Sequence, residues 1–274
     1  MPLPRFHIFK PKFPSGVNWG HHSASGLVFL CVFDGPVPID LVSGVPGVGS
    51  GGPTFIDSQD GLSASLTSAG SQYFEWAHQP QYEVLGASSF LWRGQITTGG
   101  ADRQFAGKHL TNGAANNPFD FRTSNAASPL PNIVRASSTH FRTYQNSTAL
   151  TTGAWRTVSF TFADGTVTTT PKGMVNGVIG TITNIDGAGT GAVTGSSAAL
   201  RVGRRPDNAV QMNGITSVLA IWNLEIPPGF MADIHENPFK MLRSSAWKSI
   251  ANELADFSPA LYARKRQHLN LVRR

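Results

Sequence analysis

Paired carboxylates are the first chemistry to look for in a chain rich in strand signals. Glycoside cleavage needs a general acid and a nucleophile or base, two carboxyl groups about 5–10 Å apart. The chain has five glutamates, Glu75, Glu83, Glu225, Glu236 and Glu253, and no Glu-x-Asp-x-Glu run that would align carboxylates along one strand face. Only carboxylates from neighbouring strands remain for such a role, and the expectation is a protein that is not an enzyme. The eight histidines (His7, His21, His22, His78, His109, His140, His235, His268) include no H-E-x-x-H and no partner C-x-x-C. His21 and His22 are the only cluster, and on an extended chain adjacent side chains point apart, so these residues read as structural or surface groups. Gly47, Gly49 and Gly52 satisfy G-x-G-x-x-G, but Pro46 and Pro53 flank them, which makes the segment a loop rather than a dinucleotide cradle. A nucleophile elbow and a phosphate-binding loop are both missing. Cys31, the only cysteine, lies in an apolar run and reads as a small buried hydrophobe. Calcium has raw material in Asp102, Asp164, Asp186 and Asp207-Asn208. Each of these also suits an ordinary turn, so no metal or cofactor is assigned. Trp76, Trp92, Trp155, Trp222 and Tyr144 could stack on sugars, but they sit in strand patterns and are expected in the core.

Charge points to the ends of the chain instead. Residues 240–274 hold eight of the 22 basic side chains and two of the 16 acidic ones, which accounts for the whole net charge of +6. Residues 1–239 are therefore neutral, and the high isoelectric point describes a tail. Within that tail Trp247, Ile250, Leu254 and Phe257 recur at helical spacing, so Ser245–Asp256 is expected to form an amphipathic helix. Its apolar face needs a surface to cover it. Arg264, Lys265, Arg266, Arg273 and Arg274 follow and suit either an acidic groove on a partner protein or nucleic acid phosphates; the apolar helix favours the protein. At the other end, Pro2, Pro4, Pro11 and Pro14 forbid helix and central strand, while Phe6, Phe9 and Phe13 are too apolar for a free arm. These residues at both ends are the candidate partner-binding set. No apolar run approaches the roughly 18 residues of a membrane span, and Met1–Phe6 carries no apolar secretory core; no membrane partner and synthesis in the cytoplasm are the expectations.

The elements that would carry these groups are strands. Among 29 glycines and 18 prolines run short apolar segments: 26–33, 73–76, 82–85, 89–97, 103–109, 119–123, 132–137, 140–145 and 214–224. Residues 42–53 read as a Gly/Pro-rich loop. Between Gly153 and Gly203 lies a meander: Val158, Phe160 and Phe162 alternate along a strand with one buried face, and Asp164-Gly165 and Asn176-Gly177 mark type I′ hairpin turns. Helix is expected only late, as a short turn over Pro228–His235 and in the tail. Roughly a dozen strands at short spacing define an all-β, two-sheet antiparallel jelly-roll sandwich. Its expected divisions are an extended arm (1–25), the sandwich (26–239) and a basic helical tail (240–274).

Five ordered blocks resemble the laminin G-like, concanavalin A-like jelly rolls. Trp155 to Gly165 resembles their W-x-x-V-x-x-T-x-D-G strand and turn, Met174-Val175-Asn176-Gly177 their Y-V-N-G, and Leu200 to Gly203 their L-x-I-G. Gly214 to Leu224 resembles G-x-I-D-E-V-x-I-W-N-R-A-L and runs on through Ala232-Asp233-Ile234 to Asn237-Pro238. Upstream, Val17 to His21 with Gly26-Leu27-Val28 resembles the W-S-H-P-L-A-x-G-L-V opening of bacterial and phage members. Thr216-Ser217 stands where the family has an acidic pair, and Met174 where it has Tyr; no family calcium or glycan site is transferred. The resemblance implies a sandwich used for binding, as on the tails, fibres and capsids of bacteriophages. A virion component assembled with other virion proteins, as a homo- or hetero-oligomer, is the expected role, with a host-surface glycan as a further partner. The alternatives are a free carbohydrate-binding lectin and, third, a polysaccharide hydrolase.

Overall fold

Residues 14–108, 118–124, 127–138, 140–206 and 210–244 are described by a computed structural model. The expected arm residues Phe6, Phe9 and Phe13, the tail residues Trp247, Ile250, Leu254, Arg264, Lys265, Arg266, Arg273 and Arg274, and the tail helix all lie outside them. In chain order the strands begin with β1 (Pro14–Val17), β2 (Leu27–Val32), β3 (Val48–Ser50), β4 (Thr54–Ser58), β5 (Gly61–Leu66) and β6 (Tyr73–Trp76). Next come β7 (Ser88–Ile96), β8 (Gln104–Lys108), β9 (Phe119–Thr123), β10 (Pro131–Ala136), β11 (Phe141–Asn146) and β12 (Trp155–Phe162). The last are β13 (Lys172–Val175), β14 (Val178–Gly180), β15 (Ile182–Asp186), β16 (Leu200–Val202), β17 (Gly214–Trp222), the helix α1 (Pro228–Glu236) and β18 (Leu242–Ser244).

Two antiparallel sheets stack into the expected jelly-roll sandwich. The first runs β14-β13-β12-β7-β17-β5-β4, with β2 pairing β17 beside β5. The second runs β15-β11-β10-β9-β8-β16-β6-β3. Between them lies one apolar core. Phe29, Trp92, Phe160 and Leu219 enter it from the first sheet, and Phe74, Trp76, Phe105, Phe121 and Ile133 from the second. Trp92 stacks on Phe105 with ring centroids 4.0 Å apart, and Phe121 meets Phe160 edge-on at 5.8 Å. Trp76, Trp92, Trp222 and Tyr144 are core residues as expected, whereas Trp155 is half-buried with Arg93 over its ring. Cys31 is buried.

A second apolar layer covers the outside of the first sheet. Leu30, Leu91, Val218 and Trp222 face outward from the sheet and meet Met231 and Ile234 of α1, Met241, and Val17 and Leu242 from the β1–β18 pair. This layer explains why β12 buries both faces although its sequence alternates: Thr157, Ser159 and Thr161 are nearly inaccessible too. It also explains the wholly buried patterns of β2 and β17.

Local expectations about the strands change at three places. The segment 82–85 is no strand. Pro80 opens a 3-10 turn over Pro80–Glu83, Val84 sits in the left-handed region at φ 43°, and the Tyr82 hydroxyl donates to Asp40 at 2.8 Å. That buried carboxylate also accepts from the backbone N–H groups of Leu30 and Val42, so Tyr82 is pulled inward rather than paired at a sheet edge. The loop 42–53 holds the short edge strand β3, and β4 and β5 follow it as a hairpin. The meander splits: β12, β13 and β14 stay in the first sheet, while β15 and β16 belong to the second.

Candidate functional site

Alternation fixes what the second sheet shows on its outer face. Phe74 and Trp76, Leu200 and Val202, Phe119 and Phe121, and Ile133 all point into the core. Tyr73 and Glu75, Arg201, Asp120 and Arg122, and Asn132 therefore face the other way. The register aligns them: Glu75 pairs with Arg201, Arg201 with Gly107, Gly107 with Asp120, and Asp120 with Val134. One row across the sheet thus reads carboxylate, guanidinium, glycine, carboxylate, with Arg122 and Asn132 opposite each other in the next row.

These groups are planar, polar and mutually oriented. Arg201 ion-pairs with Glu75 through Nε, and its guanidinium and that of Arg204 lie 4.9 and 5.5 Å from the Tyr73 ring centroid. Arg122 bridges two carboxylates, with Nη1 3.2 Å from Asp102 and Nε 3.5 Å from Asp120. Arg205 approaches Asp120 from a third side at 3.9 Å. Burial raises the Asp102 carboxyl above the usual range, opposed by Arg122 and reinforced by the nearby Asp120. Beside them, the Asn132 side-chain oxygen and the Thr143 hydroxyl are buried and have no hydrogen-bond partner among the described residues. Thr143 pairs across the ladder with Val134, the residue that also pairs with Asp120, so Thr143 extends the row and belongs to the same polar face. A buried polar atom without a partner costs about 1–3 kcal/mol. Asp120, Asn132 and Thr143 are themselves buried, so the groups this face offers to a polyhydroxylated ligand are the half-buried Tyr73, Glu75, Arg122 and Arg201.

Other polar clusters hold the fold together. Arg93 donates to both Asp60 oxygens at 2.6 and 2.7 Å and to Thr157 at 2.9 Å, all buried. Lys108 is fully buried. Its ammonium donates to the carbonyls of Ser196 and Ala198 and contacts His78 Nδ1 at 2.8 Å, and burial pushes its pKa down to about 8. It anchors the strand-poor segment after β15. Asn146, the asparagine of the only Asn-x-Ser/Thr triplet near a strand end, is buried with Oδ1 accepting from Thr148 N–H, which leaves no access for a glycosyl group.

Of the turn carboxylates considered for calcium, Asp164 accepts from Thr166 and Thr169, Asp102 pairs with Arg122, Asp186 is exposed, and Asp207-Asn208 lies outside the described residues. The polar row was not singled out from the sequence. Its members are spread over residues 73 to 205, and only cross-strand register brings them together. The signal that was available is weak: a charged residue between two apolar ones in Phe-Glu-Trp, Phe-Asp-Phe and Leu-Arg-Val.

No protein-family model matches the chain, and no curated protein does. Solved structures do match in shape. Domain 4 of AbnA, a GH43 extracellular arabinanase from Geobacillus stearothermophilus solved in complex with arabinotriose, superposes with a TM-score of 0.55 at 15% identity, covering 76% of this chain and 98% of that one. The binding domain of Paraclostridial Mosquitocidal Protein 1 gives 0.53 at 13% identity, covering 77% and 52%. The botulinum neurotoxin serotype C1 binding domain gives 0.54 at 9% identity, again covering 77% and 52%, so the chain spans about half of those two toxin chains. What all three have in common with this chain is the two-sheet jelly-roll sandwich.

Proposed function

We propose that the chain is a non-catalytic binding module that takes a glycan on the outer face of its second sheet. The observation that carries the reading is the polar row itself: Glu75, Arg201 and Asp120 in register with Arg122 in the next row, of which Glu75, Arg201 and Arg122 are half-buried and open to a ligand. Sugar hydroxyls pair with planar carboxylate, guanidinium and amide groups, and each of those is present. The likeness to an arabinanase domain solved with arabinotriose and to toxin binding domains supports the same use of the sandwich. A glycan array probed with the full chain tests it. Saturable binding is expected, weakened at least tenfold by Arg201→Ala and by Arg122→Ala and unchanged by Lys172→Ala on the other sheet. An array without signal above background, or binding indifferent to both arginines, overturns the reading.

The resemblance to phage jelly rolls extends the proposal to place: a virion component, its ends engaged with other particle proteins and its second sheet turned to a host surface. Imaging and peptide mapping of purified particles test that part, and absence of the chain from particles sinks it.

One arrangement favours hydrolysis as a second reading. Asp102 and Asp120 share Arg122, and their environments differ. A reducing-sugar assay decides. Release by the wild type that Asp102→Asn abolishes makes the chain a hydrolase; no release leaves the binding module.

A further inference from the structure

We propose that His21, His22 and Asp233 form a site for a first-row divalent transition metal ion that clamps the start of the described chain to its C-terminal helix. The sequence suggested that the two imidazoles diverge, as on an extended chain. They do not, because His22 begins a 3-10 turn (His22–Ala24) with His21 as its N-cap. The turn folds the rings together, with centroids 4.3 Å apart and planes at 32°. Asp233, on α1, completes a set in which one donor atom from each of the three residues lies within 4.8 Å of the others; among the described residues this is the only such set. His22 Nε2 stands 3.9 Å from Asp233 Oδ2.

Zinc–nitrogen and zinc–oxygen bonds of about 2.0–2.2 Å in a tetrahedron put donors about 3.4 Å apart. Closing from 4.8 Å asks for a little over an ångström, within reach of side chains that are half-buried or exposed. The backbone beneath them is fixed. Ser23 and Ala24 are buried, and the Trp222 indole N–H donates to the Ser23 carbonyl at 2.7 Å. The ring orientations are supported as well. His21 Nδ1 lies 2.6 Å from Ser23 Oγ, which leaves Nε2 as the nitrogen offered, and Phe230 packs on the His22 ring at 4.6 Å. A polar neighbour on the second nitrogen is the usual support of a metal-bound imidazole.

Two imidazoles and one carboxylate select zinc, copper, nickel or cobalt over calcium and magnesium, which prefer all-oxygen sets. Three protein donors at an exposed position leave a fourth for water or for a donor from a partner. Lys240 opposes the ion: its ammonium sits 2.5 Å from Asp233 Oδ1 and 3.7 Å from Glu236, occupying one oxygen of the ligand carboxylate and adding like charge. Its removal therefore strengthens metal binding, an effect that chance binding at surface histidines does not produce.

Isothermal titration of the chelator-treated full chain with zinc chloride tests the site. The expected result is one zinc per chain, at least tenfold weaker for His22→Ala and for Asp233→Asn, several-fold tighter for Lys240→Met, and undisturbed by a millimolar excess of calcium or magnesium. Circular dichroism confirms that each variant is folded. No stoichiometric binding by the wild type overturns the site. So does equal affinity in Asp233→Asn, or a Lys240→Met variant that binds no more tightly. The glycan reading rests on the other sheet, so failure here leaves it standing.

Discussion

His235 shows how a residue that looks chemical can be structural. Its ring lies between Ser159 Oγ at 2.7 Å and the Gly177 backbone N–H, which donates to Nδ1 at 2.8 Å. A backbone N–H can only donate, so Nδ1 is the acceptor and Nε2 carries the proton that goes to the serine. The imidazole is neutral and cannot take a proton from Ser159, which is itself buried. The pair is thus a strut between β12, the turn after β13 and α1, not a nucleophile with its base. Burial, reinforced by Arg93, pushes the His235 pKa from 6.5 down to about 3. A histidine held neutral in the fold but protonated in the unfolded chain contributes stability above pH 6.5 and loses it as pH falls from there toward 3. The shift corresponds to a few kcal/mol. Urea unfolding of the wild type and His235→Asn should therefore show a stability gap that is widest above pH 6.5 and narrows steadily toward pH 3.5. A gap constant with pH contradicts the strut.

At the scale of elements, the two glycine turns read alike in sequence and differ in cause. Asn176-Gly177 is the type I′ hairpin its dipeptide announces: Asn176 has φ 50° and Gly177 φ 80°, and β13 and β14 pair in register around it. Asp164-Gly165 is not a two-residue hairpin. Nine residues separate β12 from β13, and Gly165 has no positive φ. It is glycine because the Leu85 carbonyl occupies the space a Cβ would take. Backbone, not a flexible side chain, is in the way, so the clash has no cheap relief. Gly177→Ala should cost about 1 kcal/mol, the left-handed penalty for a residue with a Cβ, and Gly165→Ala distinctly more. Thermal melts of the two variants rank them, and equal shifts would refute the steric account. The same contrast marks what the sequence makes legible. Strands announced by local alternation, such as 73–76 and 119–123, stand where the pattern puts them. Tyr82 has the type of a strand residue, yet Asp40, far away in the chain, decides its place. The polar row of the second sheet is hidden for the same reason, since register between strands is a long-range property.

At the scale of the whole molecule, the described residues form three layers, and the second sheet turns its polar groups outward. The second sheet, the shared core and the first sheet are followed by a cover of α1 and the β1–β18 pair, which places residue 14 beside residue 244. The first sheet carries apolar groups outward because that cover is there. The second carries charge outward because, among the described strands and helix, no apolar cluster lies on it. The proposed ligand face and the β1–β18 pair therefore lie on opposite sides of the described body. The cover is the structural requirement that makes this possible, and it tests the arrangement. Removing residues 14–25 and 240–244 deletes β1 and β18 and uncovers the ground under Val17, Met241 and Leu242, each worth about 1.5–3 kcal/mol when buried. Compared with fragment 14–244, fragment 26–239 should melt well below it and bind a hydrophobic dye at temperatures where the longer fragment does not. The sandwich, which keeps the core shared by its two sheets, should retain strand circular dichroism after the dye has bound. Equal melting of the two fragments would mean that the ends of the chain add nothing to the first sheet, and that the cover is an attachment rather than a layer of the fold.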